Sequence, residues 1–511
     1  MARDVAVIGL DSMDTELVNE GIAEGWLPVI AEFLQRGAST RIAEDPYLFE
    51  GSAWATTLTG YGIEENGIVM DDQLKPGSYR LELARAELIK RPAFWAHAGA
   101  AGKTSTVLGA YSIPMQHGVP GTQVVGWGTT DPHVARVDKP RALPPETLSM
   151  LREVAGPRSM LDYLSPPRSP GEYEKHLQAL VEGAGQQAAA LRALGDRTEW
   201  DFYFGSFIEA HQGGHNLWHL HDPRHPNHDP DAPAALKEGL RTIYRRVDEV
   251  LGDLIEGLGA RSTFLLTPHG MGANPNGEPL GPEVLERAGY LVRKAGTASG
   301  GGRLDTARRV LHKMVPLPAR RLLARLAPRA REKMVLAAET ANIDWARSRA
   351  FGLPSVRTSY IRLNVRGREP QGMVSRGPEY NEACREIEQL FGTLVDSRRN
   401  EPAVRRVYRT DEVLGFEIDE LLPDLVVDWA DHPLVEVHSA SLGEFKTPFD
   451  PTTQGMHRGP GFLIGRGDGI PASSAIQIDD RAVGMKDVAP TLLAHLGVAS
   501  PDGLPGRKID W

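Results

Sequence analysis

A single cysteine, Cys384, stands among 511 residues. No intramolecular disulfide can form, and the chain suits a reducing compartment, with the cytoplasm as the simpler expectation. Long apolar runs are missing as well. No window approaches the ~18 apolar residues of a membrane span, and the stretch before Asp11 is too short for the core of a signal peptide. A soluble, unprocessed protein without a membrane span is expected. Positive charge is in deficit, with 57 Lys and Arg against 67 Asp and Glu and a net charge of -10, which argues against nucleic acid and for a small-molecule partner. Internal repeats and low-complexity linkers are absent, so one main domain carrying an insertion is expected rather than separate domains. What remains, 41% hydrophobic and 24% charged, is a globular composition long enough for one large core or two to three domains. Within it the 16 histidines stand out because several lie close together.

Val5 to Leu10 is a continuous apolar run ending at Asp11 and Ser12, which predicts a buried parallel strand that presents a carboxylate at its carboxyl end. From Asp14 to Arg36 the pattern predicts a helix in two pieces, broken at Gly25 and restarted at Pro28. The alternation recurs. Expected strands are Lys103 to Gly109, Asp201 to Ile208 and Arg261 to Thr267, preceded by helices near Phe94 to Ala101, Glu172 to Leu194 and Ala234 to Leu258. This predicts an α/β fold whose mostly parallel central sheet carries helices on both faces, with ligands gathered at the carboxyl ends of the strands. Between 276 and 343 the alternation breaks. Arg303 to Lys333 holds ten Lys or Arg against two acids and reads as a solvated helical insertion, with an anionic-substrate lid or a membrane-surface helix as alternatives. The expected organisation is therefore core at 1–275, basic helical insertion at 276–343, and core again at 344–511, with strands at Ser359 to Asn364 and Asp424 to Asp428 and helices at Tyr380 to Leu394 and Asp487 to Leu496.

Four groups of metal-ligand type fall at strand ends or in a late loop: Asp11; His211 and His215, four apart after the Asp201 to Ile208 strand; His269, just past Thr267; and His457 in a glycine-flanked loop. Two histidines four apart face one metal if the segment is helical. Imidazole with carboxylate suits zinc, manganese or iron better than calcium or magnesium.

The order of these pieces resembles the alkaline phosphatase superfamily, in particular its type I phosphodiesterase, nucleotide pyrophosphatase and predicted phosphohydrolase or phosphomutase branch. The resemblance runs over most of the chain and includes Val7 to Asp11, Ser52 to Gly60, His211 to His215, His269 to Met271, Arg362 to Glu369, Pro423 to Val427, the His457 loop and Asp487 to Leu493. It implies an alkaline-phosphatase-like core, two divalent metal ions, usually zinc, side by side above the sheet, and a Ser or Thr nucleophile beside them. His211, His215 and His457 would hold one metal, and Asp11 and His269 would contribute to the other.

Three positions depart from the family pattern. His211 and Pro268 replace carboxylates, and Glu50 occupies the nucleophile position. Glu50 is read as a ligand of the second metal, leaving attack to a metal-held water or a second substrate. An acyl-phosphate on Glu50, or attack by Ser52, are the alternatives. Arg458 is a candidate anion clamp. Trp54 and Trp218 are read as core, with stacking on a flat substrate as the alternative. The run His219 to His228 reads as a polar loop or an outer metal region, and Asn66 is given no role. The implied activity is metal-dependent hydrolysis or transfer on a phosphate ester or phosphodiester, with a small, nucleotide-like anion as substrate. Homo-oligomerisation is compatible with the sequence. The alternatives are an iron or manganese lyase or oxygenase on the same scaffold and a non-catalytic relative.

Overall fold

The apolar run at the start of the chain forms a strand buried on both faces. Ala6, Ile8 and Leu10 enter one hydrophobic cluster, and Val5 and Val7 enter another on the opposite side. The structure, a computed structural model, describes residues 3–45, 47, 50–70, 72–84, 88–127, 140–156, 167, 169–294, 340–415, 419–447 and 453–511, without the side chains of Glu50 and Leu83. The basic segment 303–333 lies outside the described residues.

Two compact units are present, one built from Met1–Ile68, Arg85–Asn274 and Phe449–Trp511, the other from Val69–Ala84 and Pro275–Pro448. Residues 344–448, expected to rejoin the core, therefore belong to the second unit.

In the first unit the central sheet comprises β1 (Val5–Leu10), β2 (Ala38–Ile42), β3 (Ser105–Leu108), β4 (Gly121–Val125), β5 (Arg141–Leu143), β6 (Phe202–Phe207), β7 (Ser262–Ala273), β8 (Gly455–Gly467) and β9 (Ala482–Val483). Among the described residues the strand order is β9-β2-β8-β7-β1-β6-β3-β4-β5. Pairing is parallel from β7 through β1, β6 and β3 to β4, and β8 lies antiparallel to both β2 and β7. The sheet is mostly parallel, as the sequence predicts, and the late strand β8 enters its middle.

Helices cover the sheet for readable local reasons. In α1 (Thr15–Glu24) the Asp14 carboxylate accepts the Leu17 N–H at 2.8 Å, and Gly25 closes the helix at φ 79. Pro28 opens α2 (Pro28–Gln35), where the buried Asp248 carboxylate accepts the N–H groups of Val29 and Ile30 at 3.1 and 2.8 Å. The chain then forms α3 (Glu50–Thr59), α4 (Pro170–Arg197), α5 (Glu209–His221) and α6 (Gly239–Leu258). In α6, Leu240, Ile243, Tyr244, Val247, Leu251, Leu254 and Leu258 are buried at helical spacing along one face. Among the described residues no helix is long and apolar enough to cross a membrane.

The second unit holds a four-stranded antiparallel sheet in the order Ala350–Leu353, Ser359–Leu363, Leu425–Trp429, Val404–Arg409, with the helix Pro378–Gly392 beside it in sequence. Its core contains a charged network. Arg368 binds both carboxylate oxygens of Asp424 at 2.8 and 2.6 Å, and Arg362 and Arg368 each donate to Glu369 at 2.7 Å. Asp424 also accepts from the Leu363 N–H and the Tyr380 hydroxyl at 2.7 and 2.9 Å. A buried ionic cluster is tolerated when every member has partners, as here.

Candidate metal centre

The site starts at the carboxyl end of β1. Asp11 is 3% exposed and receives two donors: the Trp54 indole N–H on Oδ1 and the His211 Nδ1–H on Oδ2, each at 2.8 Å. Trp54 reaches this position because Gly9 leaves room for its ring. A Cβ on Gly9 would stand 3.1 Å from the Trp54 ring and 2.9 Å from the Ser206 Cβ. Trp54 is fully buried against Phe204, so its part is to orient Asp11 rather than to stack on a substrate. Burial alone would raise the Asp11 carboxyl. The adjacent His211 imidazole, with help from His269 and the Trp54 bond, outweighs burial and holds the carboxyl below its ordinary value.

After β6 the chain turns directly into α5, which places His211 and His215 one helical turn apart on the same face. His215 Nδ1 donates to the Gly455 carbonyl at 2.7 Å. Burial, reinforced by the neighbouring His211, keeps the His215 imidazole neutral well below the usual histidine range. His457 comes from β8, where it pairs with Met271 of β7, two residues from His269 on the same strand. Both histidines therefore lie within strands. His269 falls inside β7, which continues to Ala273 instead of ending near Thr267, and the segment around His457 is a ladder strand instead of a loop.

The Nε2 of His457 lies 2.9 Å from that of His215 and 3.2 Å from that of His211. Among the described residues these three histidines form the group with the spacing of a metal site. Donor geometry tests the fit. Asp11 Oδ2 and the Gly455 carbonyl are acceptors, so His211 and His215 each donate from Nδ1 and turn Nε2 toward His457. Tetrahedral donors at a Zn–N distance of ~2.1 Å lie roughly 3.4 Å apart, close to the separations found. The donor set fits a divalent metal ion.

The remaining candidates fall around this group. His269 is buried, with its ring centroid 4.9 Å from that of His457 and its Nδ1 3.5 Å from the Ser12 hydroxyl and 3.3 Å from the Gly270 carbonyl. Asp11, expected to hold the second metal, is in direct contact with His211 of the first group. Glu50 opens α3, but its side chain lies outside the described residues. Ser52 is buried in the first turn of the same helix. Arg458 donates to the Ala273 carbonyl at 3.4 Å at the register shift between His457 and Pro460.

Two residues not singled out in the sequence complete the surroundings. Ser12 adopts φ 56, is fully buried, takes the Thr267 hydroxyl oxygen on its N–H at 3.1 Å and places its own hydroxyl 3.4 Å from Asp11 Oδ1. A left-handed serine directly after the site carboxylate is a backbone outlier of the kind held at functional sites, and its only sequence signal is adjacency to Asp11. Glu44 accepts the Gly459 N–H at 2.9 Å, a contact that only the placement of β8 creates.

A family model described as type I phosphodiesterase / nucleotide pyrophosphatase matches residues 5–346. Asp11, His211, His215 and His269 fall inside that range, and His457 falls beyond it. Comparison with curated protein sequences returns no match. Among solved structures, phosphonoacetate hydrolase from Sinorhizobium meliloti 1021 in complex with phosphonoformate is similar over 98% of this chain and 96% of its own, at 12% identity and a TM-score of 0.48. Human ectonucleotide pyrophosphatase / phosphodiesterase 5 covers 99% and 97%, at 12% identity and a TM-score of 0.45. Wild-type alkaline phosphatase PafA covers 100% and 98%, at 13% identity and a TM-score of 0.48.

Proposed function

Because the chain belongs to the type I phosphodiesterase/nucleotide pyrophosphatase family of the alkaline phosphatase superfamily, a group of metal-using phosphoester hydrolases, we propose that it hydrolyses or transfers the phosphoryl group of a small phosphate ester or phosphodiester at a dinuclear site. The observation that carries this reading is the convergence of the three imidazole Nε2 atoms of His211, His215 and His457, with Asp11 behind His211. His211, His215 and His457 hold one ion, and Asp11, His269 and Glu50 hold a second. Divalent ions bound there, zinc in this proposal, supply Lewis acidity to a phosphoryl oxygen.

The chain's own groups do the rest. Asp11 fixes the His211 tautomer. Glu50, where the family carries a hydroxyl, acts as a ligand and not as the attacking group, and Ser52 is the hydroxyl nearest to it in sequence. Arg458, directly after His457, clamps the anionic substrate. A second site of Asp11, Glu50 and His269, two carboxylates and one imidazole beside the three-histidine set, also suits a second reading, an iron or manganese enzyme of lyase or oxygenase type.

Metal analysis of the purified protein, paired with turnover of bis(p-nitrophenyl) phosphate, separates the two. Two zinc equivalents with phosphodiesterase activity that His457→Ala abolishes are expected. Iron or manganese with no esterase activity would reject phosphoryl transfer. For Glu50, loss of one metal equivalent in Glu50→Ala is expected, and unchanged metal content would remove it from the ligand set.

A further inference from the structure

The histidine run that follows α5 takes no part in the three-imidazole group, and its ring nitrogens serve the chain itself. His225 is buried. Its Nδ1 accepts the Asn227 N–H, and its Nε2 donates to the Gln454 carbonyl, both at 3.1 Å. His228 Nδ1 donates to the His219 carbonyl at 2.9 Å. Asn227 Nδ2 donates to the side-chain oxygen of Gln454 at 3.0 Å. Gln454 is thus held at its main chain and at its side chain by one short loop.

Gln454 is the residue that borders the metal centre. Its N–H donates to the His215 carbonyl at 2.9 Å, and its carbonyl also accepts the Asn274 N–H at 3.0 Å. The next carbonyl, that of Gly455, is the acceptor for His215 Nδ1 at 2.7 Å. Gly455 itself begins the ladder opposite Ala273, and because a glycine peptide has the widest rotational freedom of any residue, the direction of its carbonyl also depends on what holds Gln454 before it. The sheet holds Gln454 through Asn274. The loop after α5 holds it from the other side.

We infer that His225 and Asn227 are positioning residues: by clamping Gln454 they set the direction of the Gly455 carbonyl, and with it the tautomer and aim of the His215 imidazole. The inference rests on the metal-centre reading only in treating His215 as a ligand. Outer partners of a ligating histidine typically carry a 10–100-fold effect on metal affinity. The loop from Asp222 to His228 is then a brace for the first metal site and not a second metal site.

Two readouts test it on the whole 511-residue chain, one without metal. In metal-free protein labelled with ¹⁵N-histidine, the His215 ring is expected as a single Nδ1–H tautomer. His225→Ala should turn that signal into a mixture of tautomers and lower Co²⁺ affinity 10–100-fold. Asn227→Ala should move both readouts in the same direction by less, and it keeps the test open if His225→Ala does not fold. His225→Gln, whose amide nitrogen can still donate to the Gln454 carbonyl, should restore both. Wild-type tautomer and Co²⁺ affinity in His225→Ala, or equal damage from His225→Gln, would overturn the clamp. Failure of the wild-type protein to bind Co²⁺, with the tautomer change still present in His225→Ala, would reject the metal reading and leave the clamp standing.

Discussion

Replacing Gly455 by alanine adds one methyl group at the place where β8 crosses α5, and the structure sets the size of its effect. A Cβ there would stand 2.3 Å from the Gly214 carbonyl oxygen and 3.0 Å from the Trp218 Cβ. The first of these is backbone, so no side-chain rotation relieves it. Reaching ordinary contact at 3.4 Å requires helix and strand to part by about 1 Å. Gly214 lies between His211 and His215 on α5, and Gly455 lies two residues before His457 on β8, so the separation falls across the Nε2 contacts now at 2.9 and 3.2 Å. Metal–ligand distances tolerate only ~0.2 Å. A 10–100-fold loss of Zn²⁺ or Co²⁺ affinity is expected, with an overpacking cost of about 1–3 kcal/mol in the metal-free protein. Metal titration against a competing chelator and thermal unfolding of the apoprotein measure the two. Gly171→Ala, in the first turn of α4 where a Cβ meets nothing within 4 Å, is the control and should leave affinity unchanged while stabilising by up to about 1 kcal/mol. Wild-type affinity in Gly455→Ala would refute the claim that this close approach builds the site.

Asp11→Asn keeps the shape of the carboxylate but can accept from only one of Trp54 and His211, so metal content measured after dialysis should fall and affinity should drop roughly 10–100-fold; full metal retention would show that Asp11 does not orient His211. In the second unit, Asp424→Ala should cost on the order of 3–5 kcal/mol in chemical denaturation because it leaves the buried Arg362 and Arg368 with the one carboxylate of Glu369 between them. Burial pushes the Asp424 carboxyl up, but Arg368 and its hydrogen bonds outweigh it and hold the carboxyl below its ordinary value. Its folded pKa is thus below the unfolded value of about 3.9, so this stability is present above pH ~4 and is lost as pH falls through the lowered folded pKa; a denaturation midpoint insensitive to acid in that window, or to the mutation, would contradict this. Cys384 is buried, and burial, with the Asp424 carboxylate nearby, pushes its thiol up to about 12, so iodoacetamide at pH 8 should label it only after unfolding, and fast labelling of the native protein would disprove that.

Much of the fold was legible because its signals are local. The apolar run Val5 to Leu10, the restart at Pro28 and the heptad-like leucines of α6 each encode one element within a few residues, and the observed boundaries fall within a few positions of those expected. Strands such as β2 (Ala-Ser-Thr-Arg-Ile) and β4 (Gly-Thr-Gln-Val-Val) were not legible. Their sequences carry little apolar periodicity, and pairing with neighbours distant in sequence makes them strands. The extent of β7 and β8 escaped for the same reason: each is extended past its apolar segment by the other. The break near residue 275 was legible, but residues 344–448 gave no sign of belonging to the second unit, because no linker precedes the return to the first at Phe449.

What the sequence alone determined is the set of chemical groups: a carboxylate at the end of a buried strand, two histidines spaced for one helical face, and two further histidines. Helical spacing is a short-range property, so His211 and His215 could be paired from sequence. That His457, 242 residues from His215, joins them was implied by the resemblance alone, and only the tertiary structure brings its Nε2 against theirs, sets Asp11 and Trp54 behind His211 and sets His225 on the Gln454 carbonyl. Those contacts depend on β8 entering the sheet beside β7 and on Gly455 admitting α5 at backbone distance, and no local propensity encodes an approach between segments so far apart in the chain.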